Sequence, residues 1–165
     1  AGGAPVVVRV ADVGDGVHEG TYSVQAGGQH KLHVAMAGVP LAGSPFDIAV
    51  HSAETCAETC ELDARRLKGL RVGMAADFTV RAFDTHGNRA MRGGDAVRAE
   101  LQVTDSDGAP LQLHDHGDGS YSGTVEPRQV GRHRLTLFVD NVPMPSQHTF
   151  HVLPGAPDAS ASRAR

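Results

Sequence analysis

The chain states one pattern twice. Asp12-Val13-Gly14-Asp15-Gly16 recurs as Asp115-His116-Gly117-Asp118-Gly119, an offset of 103 residues (115 − 12). The same offset carries Gly20-Thr21 onto Gly123-Thr124 and Val39-Pro40 onto Val142-Pro143. It also carries Gly28-Gln29-His30-Lys31-Leu32 onto Gly131-Arg132-His133-Arg134-Leu135. A period this long makes each unit a whole small domain rather than one turn of a solenoid. Tandem copies of a small domain build spacers and docking surfaces more often than active sites.

At 165 residues the chain has room for one or two ordinary domains. Aromatic residues are only 4% and Trp is absent, so a core must rest on Val, Leu, Ile and Ala. Glycine (20) and proline (9) recur at regular intervals, which suits many short strands joined by turns. With a formal net charge of −4 and no basic patch, nucleic acid is not an expected partner. No apolar run reaches the roughly 20 residues that span a bilayer, so direct membrane insertion of this segment is not expected either. The opening Ala1-Gly2-Gly3-Ala4-Pro5 has no Met and no signal-peptide pattern, and reads as the interior of a longer chain.

The second copy reads as seven strands and no amphipathic helix. Leu67 to Val72 is the expected opening strand. Phe78, Val80 and Ala82 then alternate with polar neighbours, the period of a half-buried strand. After the Asp84-Thr85-His86-Gly87-Asn88 turn, Val97, Ala99, Leu101 and Val103 alternate with Arg98, Glu100 and Gln102. Asp105-Ser106-Asp107-Gly108 is a hairpin turn, since Asp tolerates turn dihedrals and Gly supplies positive φ. Short strands follow at Leu111–Leu113, Tyr121–Val125, Leu135–Val139 and His148–Val152. Seven short strands in about 90 residues point to an immunoglobulin-like sandwich. The expected core is Phe78, Val80, Val97, Leu101, Tyr121, Leu135, Leu137 and Phe150.

The first copy holds counterparts of only the last strands: Val6–Val10, Thr21–Val24, Lys31–Met36 and Phe46–Val50. Half a sandwich exposes an inner sheet face and unpaired edges. The expectation is that upstream sequence or another chain supplies the rest. The expected organisation is therefore a C-terminal part of a repeat at 1–50, a linker at 51–64, a complete repeat at 65–153, and at 154–165 a linker into a next repeat. Cys56 and Cys60 fall in the first linker. Their spacing with His51 nearby lacks a fourth ligand for structural zinc, so they read as plain linker cysteines.

Four segments together resemble filamin-type repeats, the immunoglobulin-like rod units of actin cross-linking proteins. They are Asp115-x-Gly117-Asp118-Gly119-Ser120-Tyr121-Ser122, Gly131-x-His133-x-Leu135-x-Leu137, Val39-Pro40-Leu41-Ala42-Gly43-Ser44-Pro45-Phe46, and Phe78-Thr79-Val80-Arg81-Ala82-Phe83-Asp84 with Gly87-Asn88 and Gly93-Gly94-Asp95. The resemblance spans about residues 6 to 153. Two departures stand out. The second copy ends Pro143-Met144-Pro145-Ser146-Gln147-His148, without the family's S-P-F. In the first copy Val17-His18-Glu19-Gly20 intervenes between the turn and Thr21-Tyr22-Ser23, which predicts a re-registered strand.

The resemblance implies an all-β array of seven-strand sandwiches, the first incomplete here, that binds proteins. It does not imply actin binding, which in that family rests mainly on a calponin-homology domain. It further implies an extended partner strand beside the third strand and over the fourth. The matching residues here are Ala96, Arg98, Glu100 and Gln102, with Leu111 and Leu113. The expected partners are other proteins, cytoskeletal ones among them, and neighbouring repeats of the same chain.

Catalytic chemistry finds little footing. The two Asp-x-Gly-Asp-Gly segments could be taken for calcium loops but lack the oxygen ligands and the Glu at position twelve of an EF-hand loop; they read as tight turns. His114, Asp115 and His116 could form a chelate, since His114 and His116 share a face, but solvated turn histidines are the simpler reading. No serine sits in a nucleophile elbow, and Arg92-Gly93-Gly94-Asp95 lacks the Lys and helix of a phosphate loop. No cofactor, metal site or enzymatic activity is expected. The sequence thus favours a cytoplasmic scaffold module of the cytoskeleton or cilium; the alternative is a cell-surface adhesion module on the same sandwich.

Overall fold

The computed structural model describes residues 6, 8–104 and 106–155. It divides between His51 and Ser52 into two units. In the first, β1 (Val8–Gly14) and β2 (Val17–Tyr22) form a hairpin with Val8 opposite Tyr22 and Gly14 opposite Val17. Its turn is built as the residue types dictate. Gly14, Asp15 and Gly16 all take positive φ, and Asp12 Oδ1 accepts the Gly14 N–H at 2.9 Å. β3 (Gly28–Leu32) pairs with β6 (Phe46–Val50), and β4 (Ala35–Met36) with β5 (Val39–Pro40). None of the described residues before Ser52 is buried; Val10 is 67% exposed. These are strand pairs without a closed core. The expected first strand is found at Val8–Gly14, and Val7 lies outside the described residues.

The second unit runs β7 (Glu61–Asp63), a 3₁₀ turn at Arg65–Leu67, β8 (Ala76–Arg81), β9 (Val97–Val103), β10 (Ala109–Leu111), β11 (Leu113–Asp115), β12 (Ser120–Val125), β13 (Gly131–Val139), β14 (Val142–Pro143) and β15 (His148–Val152). One sheet is ordered β11-β12-β8-β7. The other is β10-β9-β13, with β14 and β15 both pairing β13; every ladder is antiparallel. The alternation read from sequence places the core. Phe78, Val80, Tyr121, Leu135, Leu137 and Phe150 are buried, while Val97 and Leu101 are half-buried against them. Gly123 is required by close approach, since a Cβ there would lie 2.5 Å from Phe78 Cζ.

The two units repeat in part; β6 and β15 begin 102 apart (148 − 46), but other strands keep the offset of the sequence. β2 begins at 17 and β12 at 120, β5 at 39 and β14 at 142, all offset by 103. Asp12 lies opposite His18 as Asp115 lies opposite Tyr121, so the pairing there keeps the offset, and a register irregularity falls between Asp12 and Gly14, just before Val17.

Three expectations are corrected. Residues 52–64 are not a free linker. Cys56 N–H donates to Phe83 O at 2.8 Å, Thr55 bridges Asp84, β7 pairs with β8, and Ala57, Cys60 and Ala64 are buried. Small apolar residues here reach the core without the alternation that marks a strand. Leu67–Val72 is not the opening strand either, because β7 already occupies the edge of β8. Leu67 and Leu70 are buried around the 3₁₀ turn, and only Arg71 bridges, in parallel, to Leu153. The strand expected at Leu111–Leu113 breaks at Gln112, its two ends pairing in different sheets. With β14 added, the seven expected strands become nine segments among the described residues. Asp105 of the expected hairpin turn and most of the C-terminal linker, residues 156–165, lie outside the described residues.

Candidate partner-binding site

The proposed docking strand is β9, and the direction of its backbone groups decides what it can offer. Ala96 O accepts the Asp140 N–H at 3.1 Å, so Ala96 faces the β13 side. Strand alternation then turns Val97, Ala99, Leu101 and Val103 toward the opposite edge. That edge is largely used. Leu111 and Ala109 of β10 lie opposite Ala99 and Leu101, with Pro110 opposite Glu100, where an antiparallel ladder needs no N–H. Val97 N–H turns back to Asp95 O at 2.9 Å, and Val103 N–H meets Ser106 Oγ at 3.2 Å. The free third-strand edge implied by the family resemblance is thus covered by a short strand.

The side chains divide accordingly. Arg98, Glu100 and Gln102 lie on the outer face, as the alternation predicts. Arg98 Nη1 donates to Glu100 Oε1, and its guanidinium sits 3.9 Å from the Phe138 ring centroid. Gln102 Nε2 donates to Ser106 O at 2.7 Å. Ala96 is exposed just before β9. Leu111 belongs to the same sheet, whereas Leu113 lies in the other, opposite Gly123. The six residues are therefore divided between the two sheets rather than set in one row. Phe138, over which the Arg98 guanidinium sits, was missed; its place opposite Arg98 depends on a register that sequence spacing does not reveal.

Three hydrogen bonds to two side chains anchor the start of β9. Thr55 Oγ1 donates to Asp95 Oδ1 at 2.7 Å, Tyr121 Oη donates to Asp95 Oδ2 at 2.7 Å, and Asp95 N–H donates to Tyr121 Oη at 3.0 Å. Burial and the Asp95 hydrogen bond push the Tyr121 phenol well above its usual range. Asp84 closes the preceding turn: its carboxylate accepts from the N–H groups of Ala53, His86 and Asn88 and from Asn88 Nδ2, each at 2.9 Å. The Asn88 amide leads in holding it far below the ordinary carboxylate range.

The other groups weighed for chemistry are engaged structurally. Asp115 accepts from Gly94 N–H at 2.7 Å and Gly117 N–H at 2.8 Å. His114 and His116 meet edge to face at 4.7 Å, and His116 Nε2 lies 2.9 Å from Ser122 Oγ. Burial pushes the Cys60 thiol up, away from the thiolate a metal or nucleophile needs. Among the described residues no three His, Cys, Asp or Glu side chains are placed to share a metal. No described helix is long and apolar enough to cross a membrane.

A repeated all-β chain whose complete unit packs a four-stranded sheet on a five-stranded one is an array of immunoglobulin-like sandwiches. The chain belongs to the Filamin/ABP280 repeat family, whose model matches residues 1–47 and again 54–147. It is 31% identical to filamin-C of Mus musculus over 165 residues, 97% of this chain but only 6% of that protein's length. Among solved structures it resembles the Lin-41 filamin domain (TM-score 0.51, 16% identity, 61% of this chain and 97% of that one). It also resembles the Escherichia coli adhesin FdeC (TM-score 0.62, 22% identity, 89% of this chain and 47% of that one). At such identities the structural likenesses speak to fold alone.

Proposed function

We propose that this chain is a non-catalytic scaffold segment that spaces neighbouring domains and docks protein partners by strand addition at the β9–β10 margin, in a cytoskeletal or ciliary setting. The observation that carries this reading is the repetition of one sequence pattern at a 103-residue offset within a single repeat family. Such an array extends a chain by whole domains, each with strand edges of its own. β10 is short and has Pro110 at its centre, so few backbone hydrogen bonds hold it. At roughly 1 kcal/mol net each, an incoming strand can displace it and regain the same bonds on β9.

The test is titration of the labelled chain with partner-derived extended peptides, following amide exchange residue by residue. Strand addition requires that Leu111 N–H lose protection while Ala99 and Leu101 keep theirs. A bound complex in which β10 stays paired overturns the mechanism. Staining of intact, unpermeabilised cells with an antibody to this segment decides between scaffold and adhesion module: surface signal overturns the scaffold reading.

A further inference from the structure

The outer edge of β15 lies at the other margin of the five-stranded sheet. Leu153 N–H donates to Leu70 O at 2.8 Å, and Leu153 O accepts the Val72 N–H at 3.0 Å. Alternation aims the N–H and C=O of His151 and Thr149 the same way, while His148, Phe150 and Val152 serve the ladder with β13. Among the described residues, nothing meets the backbone of Thr149 or His151 on that side. The cause is the path upstream. The chain leaves β8 after Asp63, makes its 3₁₀ turn, and reaches β15 only at Arg71, so the middle of β15 is left uncovered.

A groove of about 730 Å³ runs along this gap. Leu62, Phe150 and Leu153 give it an apolar floor. Its rim carries Arg65, Lys68 and His151, and no carboxylate side chain lines it. Arg65 is paired with Asp63, but Lys68 makes no ion pair among the described residues. Unpaired strand amides beside an apolar floor and the unpaired Lys68 ammonium match an extended peptide in which apolar residues alternate with acidic ones. A second copy of this chain fits poorly, because pairing β15 with β15 about a two-fold axis brings together two rims that each carry an unpaired Lys68 and offer it no carboxylate.

We propose that the β15 edge is a second docking site, taking an acidic, extended segment of a partner protein as an added strand beside Thr149–His151. It is independent of docking at β9 and β10, across the sheet, so the two can fail separately.

The experiment titrates the ¹⁵N-labelled 165-residue chain with a synthetic peptide alternating valine and glutamate, and with its lysine counterpart. Chemical-shift changes are expected at residues 62–69 and 148–153, with the glutamate peptide bound about tenfold or more tightly, the scale of one charge-assisted contact. His151→Pro removes an outward N–H that no ladder uses and is expected to weaken the glutamate peptide about tenfold. Lys68→Glu, an exposed change that spares the backbone, is expected to reverse the preference toward the lysine peptide. Shifts confined to residues 96–113, equal affinity for both peptides, or no shift at millimolar peptide would each overturn the proposal. So would concentration-dependent self-association through 148–153 without peptide.

Discussion

The Tyr121 hydroxyl and Asp95 hold each other twice: the phenol donates to the carboxylate at 2.7 Å and accepts the Asp95 backbone N–H at 3.0 Å. Tyr121 is inside the sandwich on β12, and Asp95 stands at the entry to β9. One side chain thus ties the two sheets together where the candidate docking strand begins. Tyr121→Phe leaves the Asp95 N–H without its acceptor and is expected to cost about 1–3 kcal/mol. Urea unfolding of the second unit's core should show it as a lower midpoint at unchanged slope.

The same pair gives a pH signature. Because the folded state raises the Tyr121 pKa, the neutral phenol is favoured in the fold. The stability it contributes is whole below about pH 10, the ordinary tyrosine value, and is lost as pH rises beyond it. Wild type should lose stability above that pH more steeply than Tyr121→Phe. Equal slopes in urea midpoints measured across the alkaline limb would sink the assignment.

Asp84 acts in the opposite direction. Its folded pKa is depressed, so its contribution is present above about pH 4 and drains away as pH falls below that ordinary carboxylate value. Asp84→Ala is expected to be destabilised at neutral pH and to show a flatter acid limb. Loosening of this turn also frees the Ala53 N–H that ties residues 52–64 to the unit.

How much of this was legible depends on whether a segment buries one face. β8, β12 and β13 do, so Phe78, Val80, Leu135 and Leu137 declared themselves by a period of two. Residues 52–64 bury Ala57, Cys60 and Ala64, three small residues at uneven spacing among charged ones, and nothing in that pattern distinguishes them from a linker. The outward set Arg98, Glu100 and Gln102 was legible for the same reason as the core. The covering of β9 by β10 was not. It depends on a hairpin register set through Thr104, which takes a positive φ, and on a switch of sheets at Gln112.

The core supplies a paired comparison between units. Leu135 is fully buried, and Leu135→Ala is expected to cost about 2–5 kcal/mol. Gly123 and Gly20 are equivalent by the 103-residue offset, but their surroundings differ. A methyl at Gly123 collides with Phe78 and Leu113, whereas at Gly20 the nearest atom is Val8 Cγ1 at 3.8 Å. Gly123→Ala should cost about 1–3 kcal/mol by overpacking. Gly20→Ala should leave the stability of this chain unchanged. A comparable loss at both sites would show that the first unit encloses a core of its own.

The strand pairs before Ser52 make the last test. Their ladders are formed, yet Val10, Tyr22, Met36, Val39 and Phe46 remain exposed and no described residue there is buried. Isolated two-stranded pairs are marginal in water, because the hydrogen bonds alone do not offset the entropy of ordering the chain. In native-state hydrogen exchange of the 165-residue chain, amides of β1, β2, β3 and β6 should therefore exchange orders of magnitude faster than those of β13, which open only with the whole second unit. Covering their exposed apolar faces with further strands should slow them toward the β13 rates. If β3 and β13 already exchange alike in the 165-residue chain, the first unit is stable without added strands, and its exposed apolar residues need another explanation.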